Sequence, residues 1–104
     1  MKQSKTLSGI RFNYEGSLDS YLTIYKNIKI KIPKKIIDVI KSEINQKSPI
    51  LMGACRDNPS KNSIGESLKG KRYSPQNLSY VIPLLVEEGF CSSNIKRPFI
   101  ITKC

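Results

Sequence analysis

"SPQNLSYVIPLLVEEGF", residues 74–90, decides the reading of this chain, because it has the apolar spacing of a buried helix and a proline in its middle. Ser74 is a good N-cap, and Pro75 stands at the first helical position, where a missing backbone donor costs nothing. At about 100° per residue, Leu78, Val81, Ile82 and Leu85 converge on one side, while Gln76, Tyr80, Pro83 and Glu87 share the other. An interior proline costs a helix roughly 3 kcal/mol, because it removes a hydrogen bond and crowds the carbonyl four residues back. Pro83 is therefore expected on the solvent side, with the freed Ser79 carbonyl reaching water and a local bend offset by the buried stripe. Gly89 supplies the left-handed position that closes the helix.

Two more helices precede this one. In "PKKIIDVIKSEINQ" Pro33 suits a helix start, and Ile36, Ile37, Ile40 and Ile44 fall on one stripe with Lys34, Lys35, Lys41 and Glu43 elsewhere. After Ser48 and Pro49, "ILM" reads as a brief strand, and "GACRDNPSKN" reads as a loop from its Gly, Asp, Asn and Pro content. Ser63 and Glu66 have capping-box spacing ahead of a short helix with Ile64 and Leu68 inward, Gly70 ends it, and "KGKRY" forms a basic turn.

Residues 8–32 carry strand periodicity. Ile10, Phe12 and Tyr14 alternate with polar neighbours, "GSLDS" supplies turn residues, and "YLTIYKNIKIKI" is rich in β-branched and aromatic residues. Asn27 tolerates a left-handed backbone, so Lys26 and Asn27 are expected to join a hairpin with Ile28, Ile30 and Ile32 on one face and Lys29 and Lys31 on the other. Such a lysine face serves as a solvated or aggregation-guarded edge, or as a nucleic-acid contact. The C-terminal "FCSSNIKRPFIITKC" reads as strand, tip over Ser93 to Arg97, and strand.

The order of helix, helix, basic turn, helix ending in "EEGF", and hairpin with "KR" at its tip resembles the winged helix-turn-helix superfamily over residues 33–104. The expected fold is thus α+β, one domain spanning 1–104. A winged-helix region of three helices and a C-terminal hairpin wing follows an N-terminal β-hairpin or small sheet at 8–32. The resemblance implies a third helix in a DNA major groove with the wing beside it. It makes Gln76, Asn77, Ser79 and Tyr80 the base-facing residues, and Lys69, Lys71, Arg72, Lys96 and Arg97 the phosphate contacts. No arginine lies on the reading face to grip guanine, which favours A·T-leaning or weakly specific contact.

Composition sets the outer limits. A net charge of +10 on 104 residues draws in polyanions, either nucleic acid or an acidic protein. With no histidine, Ser-His and Cys-His nucleophile pairs are impossible, and Glu66, Glu87 and Glu88 read as helix-end residues, so no enzyme is expected. Cys55, Cys91 and Cys104 form no CxxC pair, so neither a zinc site nor any cofactor is expected. The loop around Arg56 lacks the glycine spacing and GK[ST] of a phosphate loop. No apolar run approaches the ~18 residues of a membrane span, and "MKQSKTLSG" has no signal-like apolar stretch, so the expectation is cytoplasmic.

The leading expectation is a non-enzymatic double-stranded-DNA-binding protein, a small transcriptional regulator or DNA-recognition module. It would act as a homodimer, with the N-terminal β region as the spare element for pairing. The alternative is a protein-binding inhibitor or adaptor on the same scaffold, such as a phage or mobile-element antagonist of a defence nuclease.

Overall fold

The strand-period residues between Arg11 and Pro33 build three of the four strands of an antiparallel sheet. The computed structural model describes residues 1–55 and 57–104, so the Arg56 loop residue lies outside the described residues. The sheet runs in sequential order through β1 (Lys2–Lys5), β2 (Arg11–Gly16), β3 (Tyr21–Tyr25) and β4 (Lys29–Pro33). Its inner face buries Phe12, Leu22, Ile24 and Ile32, with Leu22 opposite Ile32 and Ile24 opposite Ile30. Lys29 and Lys31 point the other way, and Ile28, expected on the apolar face, lies exposed in the turn instead. β1 was not foreseen, because "KQSK" has no apolar residue to alternate; only Ser4 in it is buried.

β4 runs directly into α1 (Lys34–Lys47), with Pro33 at the N-cap and Ile36, Ile37, Ile40, Glu43 and Ile44 buried. β5 (Ile50–Leu51), α2 (Ile64–Gly70), a 3-10 turn (Pro75–Asn77), α3 (Leu78–Glu87), β6 (Cys91–Ser93) and β7 (Ile100–Lys103) follow. β7 is the centre of a second antiparallel sheet of order β5-β7-β6, pairing Ile101 with Ile50 and Lys103 with Cys91. The described residues therefore form an α+β molecule, with three helices and two sheets. One buried cluster joins them, from Phe12 and Leu22 through Ile40 and Leu68 to Ile82 and Ile101.

The N-terminal cap of α2 differs from expectation in one detail. Ser63 Oγ accepts the Glu66 N–H at 3.1 Å, but the Glu66 carboxylate takes the Asn62 N–H at 3.0 Å, one residue before the reciprocal capping partner. α2 ends at Gly70, as expected, and the left-handed position beyond it is held by Arg72, with φ 66°. The Tyr73 N–H reaches Leu68 O at 2.8 Å and the Arg72 N–H reaches Lys69 O at 3.0 Å, the paired bonds of a Schellman cap. α3 ends in the same pattern about Gly89, as its spacing foretold, with the Phe90 N–H on Leu85 O at 2.9 Å.

Pro83 is buried, not solvent-facing, which overturns the expected outer face of α3. The cause is the N-terminal sheet, whose β1 side lies across that face. Ser4 Oγ donates to Glu87 Oε1 at 3.1 Å, and the Phe12 ring meets Tyr80 edge-on at 5.2 Å between centroids. Pro83 and Val86 line one wall of the seam, and Ser4 and Leu7 the other. The proline ring adds apolar surface to this seam, against the loss of the hydrogen bond that an N–H here would make to the Ser79 carbonyl.

Candidate nucleic-acid interface

The turn between α2 and the 3-10 segment places Lys69, Lys71 and Arg72 in solvent, followed by exposed Ser74 and Gln76. The Schellman geometry throws Arg72 outward at the point where the chain reverses. Ser74 Oγ accepts the Gln76 N–H at 3.3 Å, so the cap holds the start of the next helical segment and leaves the Gln76 amide free on the surface. Lys69 Nζ donates to the Asp57 carbonyl, tying the turn to the preceding loop.

α1 adds to this surface. Its first turn holds Lys34 and Lys35 and no acidic residue, although the positive end of a helix dipole disfavours cations there. Lys34 is neutralised by Asp38 at 2.8 Å, whereas Lys35 Nζ lies 5.9 Å from the centroid of the Tyr73 ring, next to Arg72. Lys71 has one compensating neighbour, because its charge acts on Glu43. Burial pushes the Glu43 carboxyl up, but hydrogen bonds from Ser67 Oγ and Lys47 Nζ, with the charges of Lys47 and Lys71, outweigh that and hold it below its ordinary value. Among the described residues, no salt bridge engages Lys35, Lys69, Lys71, Arg72, Lys96 or Arg97.

The expected base-facing set does not stay together. Gln76 is exposed and Ser79 half-buried. Asn77 is a correction: at 9% exposure it belongs to the buried side, because the 3-10 turn rotates it inward relative to an unbroken α-helix. Tyr80 is the second correction, since its ring packs on Phe12 of β2 and leaves little surface to meet a base.

At the hairpin tip Lys96 is exposed, and Asn94, unremarked in the sequence, organises the turn. Its Nδ2 donates to Lys96 O at 2.8 Å and Pro98 O at 3.0 Å, and its Oδ1 accepts the Ile100 N–H at 2.7 Å. Arg97 Nη2 donates to Ser8 Oγ at 2.9 Å, so this guanidinium leans on the β1–β2 loop. The tip is not purely polar either, for Ile95 is 89% exposed. The N-terminal sheet thus touches both α3 and the hairpin tip, the two elements expected to grip DNA.

Among the described residues no cluster of three or more His, Cys, Asp or Glu is arranged to hold a metal ion. No helix among them is long and apolar enough to cross a membrane. Compared with protein families, with curated proteins and with solved structures, the chain matches none.

Proposed function

We propose that this chain is a non-enzymatic, phosphate-directed binder of double-stranded DNA built on a winged-helix-type scaffold. The scaffold reading is supported by the order α1, β5, α2, α3, β6, β7, with the short β5 closing a sheet against the returning strand of the hairpin. The observation that carries the function is the exposed turn of Lys69, Lys71 and Arg72, joined by Lys35 and Tyr73, in a chain of net charge +10. Among the expected base readers, Gln76 at its edge is exposed, while the others are buried or half-buried. Binding through such a surface is dominated by counterion release and is weakly selective for sequence.

The test is a fluorescence-anisotropy titration on a random duplex of about 20 base pairs at two salt concentrations, where log affinity should fall steeply with log salt. The double variant Lys71→Ala with Arg72→Ala should reduce that slope by about 1.8, near 0.9 for each phosphate released. No measurable binding at low salt would refute the reading.

The second reading, a protein-binding inhibitor or adaptor, is favoured by the sheet lying across α3 and by the Ser8 contact to Arg97. An acidic protein would then take the same basic turn, and the duplex titration would be flat. Paired half-sites would call for a homodimer, but the inner face of the N-terminal sheet is occupied by the chain's own core and α3. Its outer face and the edge strands β1 and β4 are left for a second copy.

A further inference from the structure

The outer face of the N-terminal sheet brings aromatic and cationic side chains together. On β3, Tyr21, Thr23 and Tyr25 face outward, opposite Pro33, Lys31 and Lys29 of β4. Tyr21 is 57% exposed, and Tyr25 is half-exposed with Lys29 Nζ 5.8 Å from its ring centroid. Thr23 between them is only 5% exposed although it lies on the outer side, because its neighbours overhang it. The result is a shallow depression of about 570 Å³ walled by the two tyrosines and bordered by Lys29, Lys31, Pro33 and Glu15.

We infer that this depression is a stacking platform for single-stranded DNA. Aromatic faces held by a sheet and flanked by cations provide what an unpaired strand needs: flat apolar surface for bases and positive charge for the backbone. Four residues of strand rise place the tyrosine Cα atoms roughly 14 Å apart, so each ring meets a different base. Glu15 opposes phosphate but accepts hydrogen bonds from the exocyclic amino group of a base seated between the rings. Charge favours a nucleic acid over an apolar peptide, for residues 1–33 hold six lysines and arginines against two carboxylates.

The choice of DNA rests on the duplex-binding reading. β4 passes without a loop into α1, so Lys29 and Lys31 lead to Lys34 and Lys35, and Lys35 touches Tyr73 beside the basic turn. A duplex seated on that turn can lay a single-stranded extension along the sheet.

The experiment uses the full chain and a labelled, non-self-pairing deoxyoligonucleotide of about ten nucleotides, with a blunt duplex and a ribo-oligonucleotide of the same sequence alongside. Tyr21→Ala and Tyr25→Ala should each weaken the single-strand complex about 5- to 150-fold and leave duplex affinity unchanged, while Tyr25→Phe keeps the stacking. Lys29→Gln with Lys31→Gln should lower the single-strand salt slope by about 1.4. Circular dichroism melts of each variant separate lost binding from lost fold. The platform is overturned if the parent ignores the deoxyoligonucleotide, or if folded Tyr21→Ala binds it as the parent does. Tighter binding of the ribo-oligonucleotide overturns the assignment to DNA. Failure of duplex binding alone, with the tyrosine effects intact, would sink the function proposed above and not the platform.

Discussion

On the proposed DNA-binding reading Arg72 would couple stability and binding with opposite signs, so the substitution Arg72→Gly tests both at once. The residue holds φ 66° at the left-handed position of the α2 cap, where a Cβ costs roughly 1–2 kcal/mol and glycine costs nothing. Glycine gives back about 0.4–1 kcal/mol through the extra freedom of the unfolded chain. Arg72 is exposed and makes no salt bridge among the described residues, so nothing else of weight is lost. The net gain is about 0.5–1 kcal/mol, which in a domain of this size raises Tm by roughly 2–8 °C. If the guanidinium also neutralises a phosphate, the same change lowers the slope of log affinity against log salt by about 0.9. Thermal melting by circular dichroism and anisotropy titrations on a duplex read the two effects separately. A lower Tm would refute the cap geometry. A higher Tm with an unaltered salt slope would remove Arg72 from the interface and leave the fold intact.

Three other outcomes follow from the packing. Gly65→Ala exchanges a poor helix former for the best one, yet the new Cβ would lie 1.7 Å from the Gly53 carbonyl oxygen. The sign should therefore reverse, with the urea midpoint reporting a loss of about 1–3 kcal/mol, and a more stable variant would disprove the close approach. Glu43→Gln removes a carboxylate held below its ordinary pKa, a group whose contribution is present above the unfolded value and lost as pH falls through the folded one. The variant should be less stable than the parent at about pH 7, and the gap should close as pH falls below the ordinary carboxylate range; a gap that persists in strong acid would mean the charge is not responsible. The Cys91 thiol, pushed up to about 11 chiefly by burial, should resist iodoacetamide at about pH 8 while exposed Cys55 and Cys104 react, as mass spectrometry of timed samples would reveal.

The α-helical part of the fold was legible because three signals coincided: the isoleucine stripe of α1, the Ser63 cap of α2, and the apolar spacing of α3. What periodicity could not deliver was the partner of each face. β1 escaped because a polar strand bonded through its backbone leaves no pattern in its side chains. Once β1 is known, Pro83 ceases to be anomalous, since both sides of α3 are covered and the helix needs no polar face there. Asn77 was misplaced for a local reason, the 3-10 turn, whose three residues per turn shift the phase of everything before Leu78. Arg72 was hidden by Gly70, the residue that propensity alone nominates as the cap. The lysines at the start of α1 carry a usable signal, because cations set against a helix dipole call for a reason.

The sheet over α3 also limits how selective any duplex contact through that helix can be. Specific DNA-binding proteins exceed their own non-specific affinity by roughly 4–10 kcal/mol, and each good bidentate base contact supplies about 1–3 kcal/mol of discrimination. With Asn77 buried and Tyr80 against Phe12, only Gln76 and the half-buried Ser79 remain of the expected readers. A serine hydroxyl makes no bidentate pair, so on the proposed reading Gln76 alone would supply about 1–3 kcal/mol, below that range. The proposed phosphate contacts would be affected far less by the same geometry: Lys69, Lys71, Arg72 and Lys96 are exposed, with Lys69 bonded to the Asp57 carbonyl and Arg97 drawn toward Ser8. Gln76→Ala should accordingly relax preference at one base position and leave affinity for a random duplex nearly unchanged, measured by competition between duplexes differing at single base pairs. A large loss on every duplex would mean that Gln76 supports the turn, and that the basic surface depends on it for its shape.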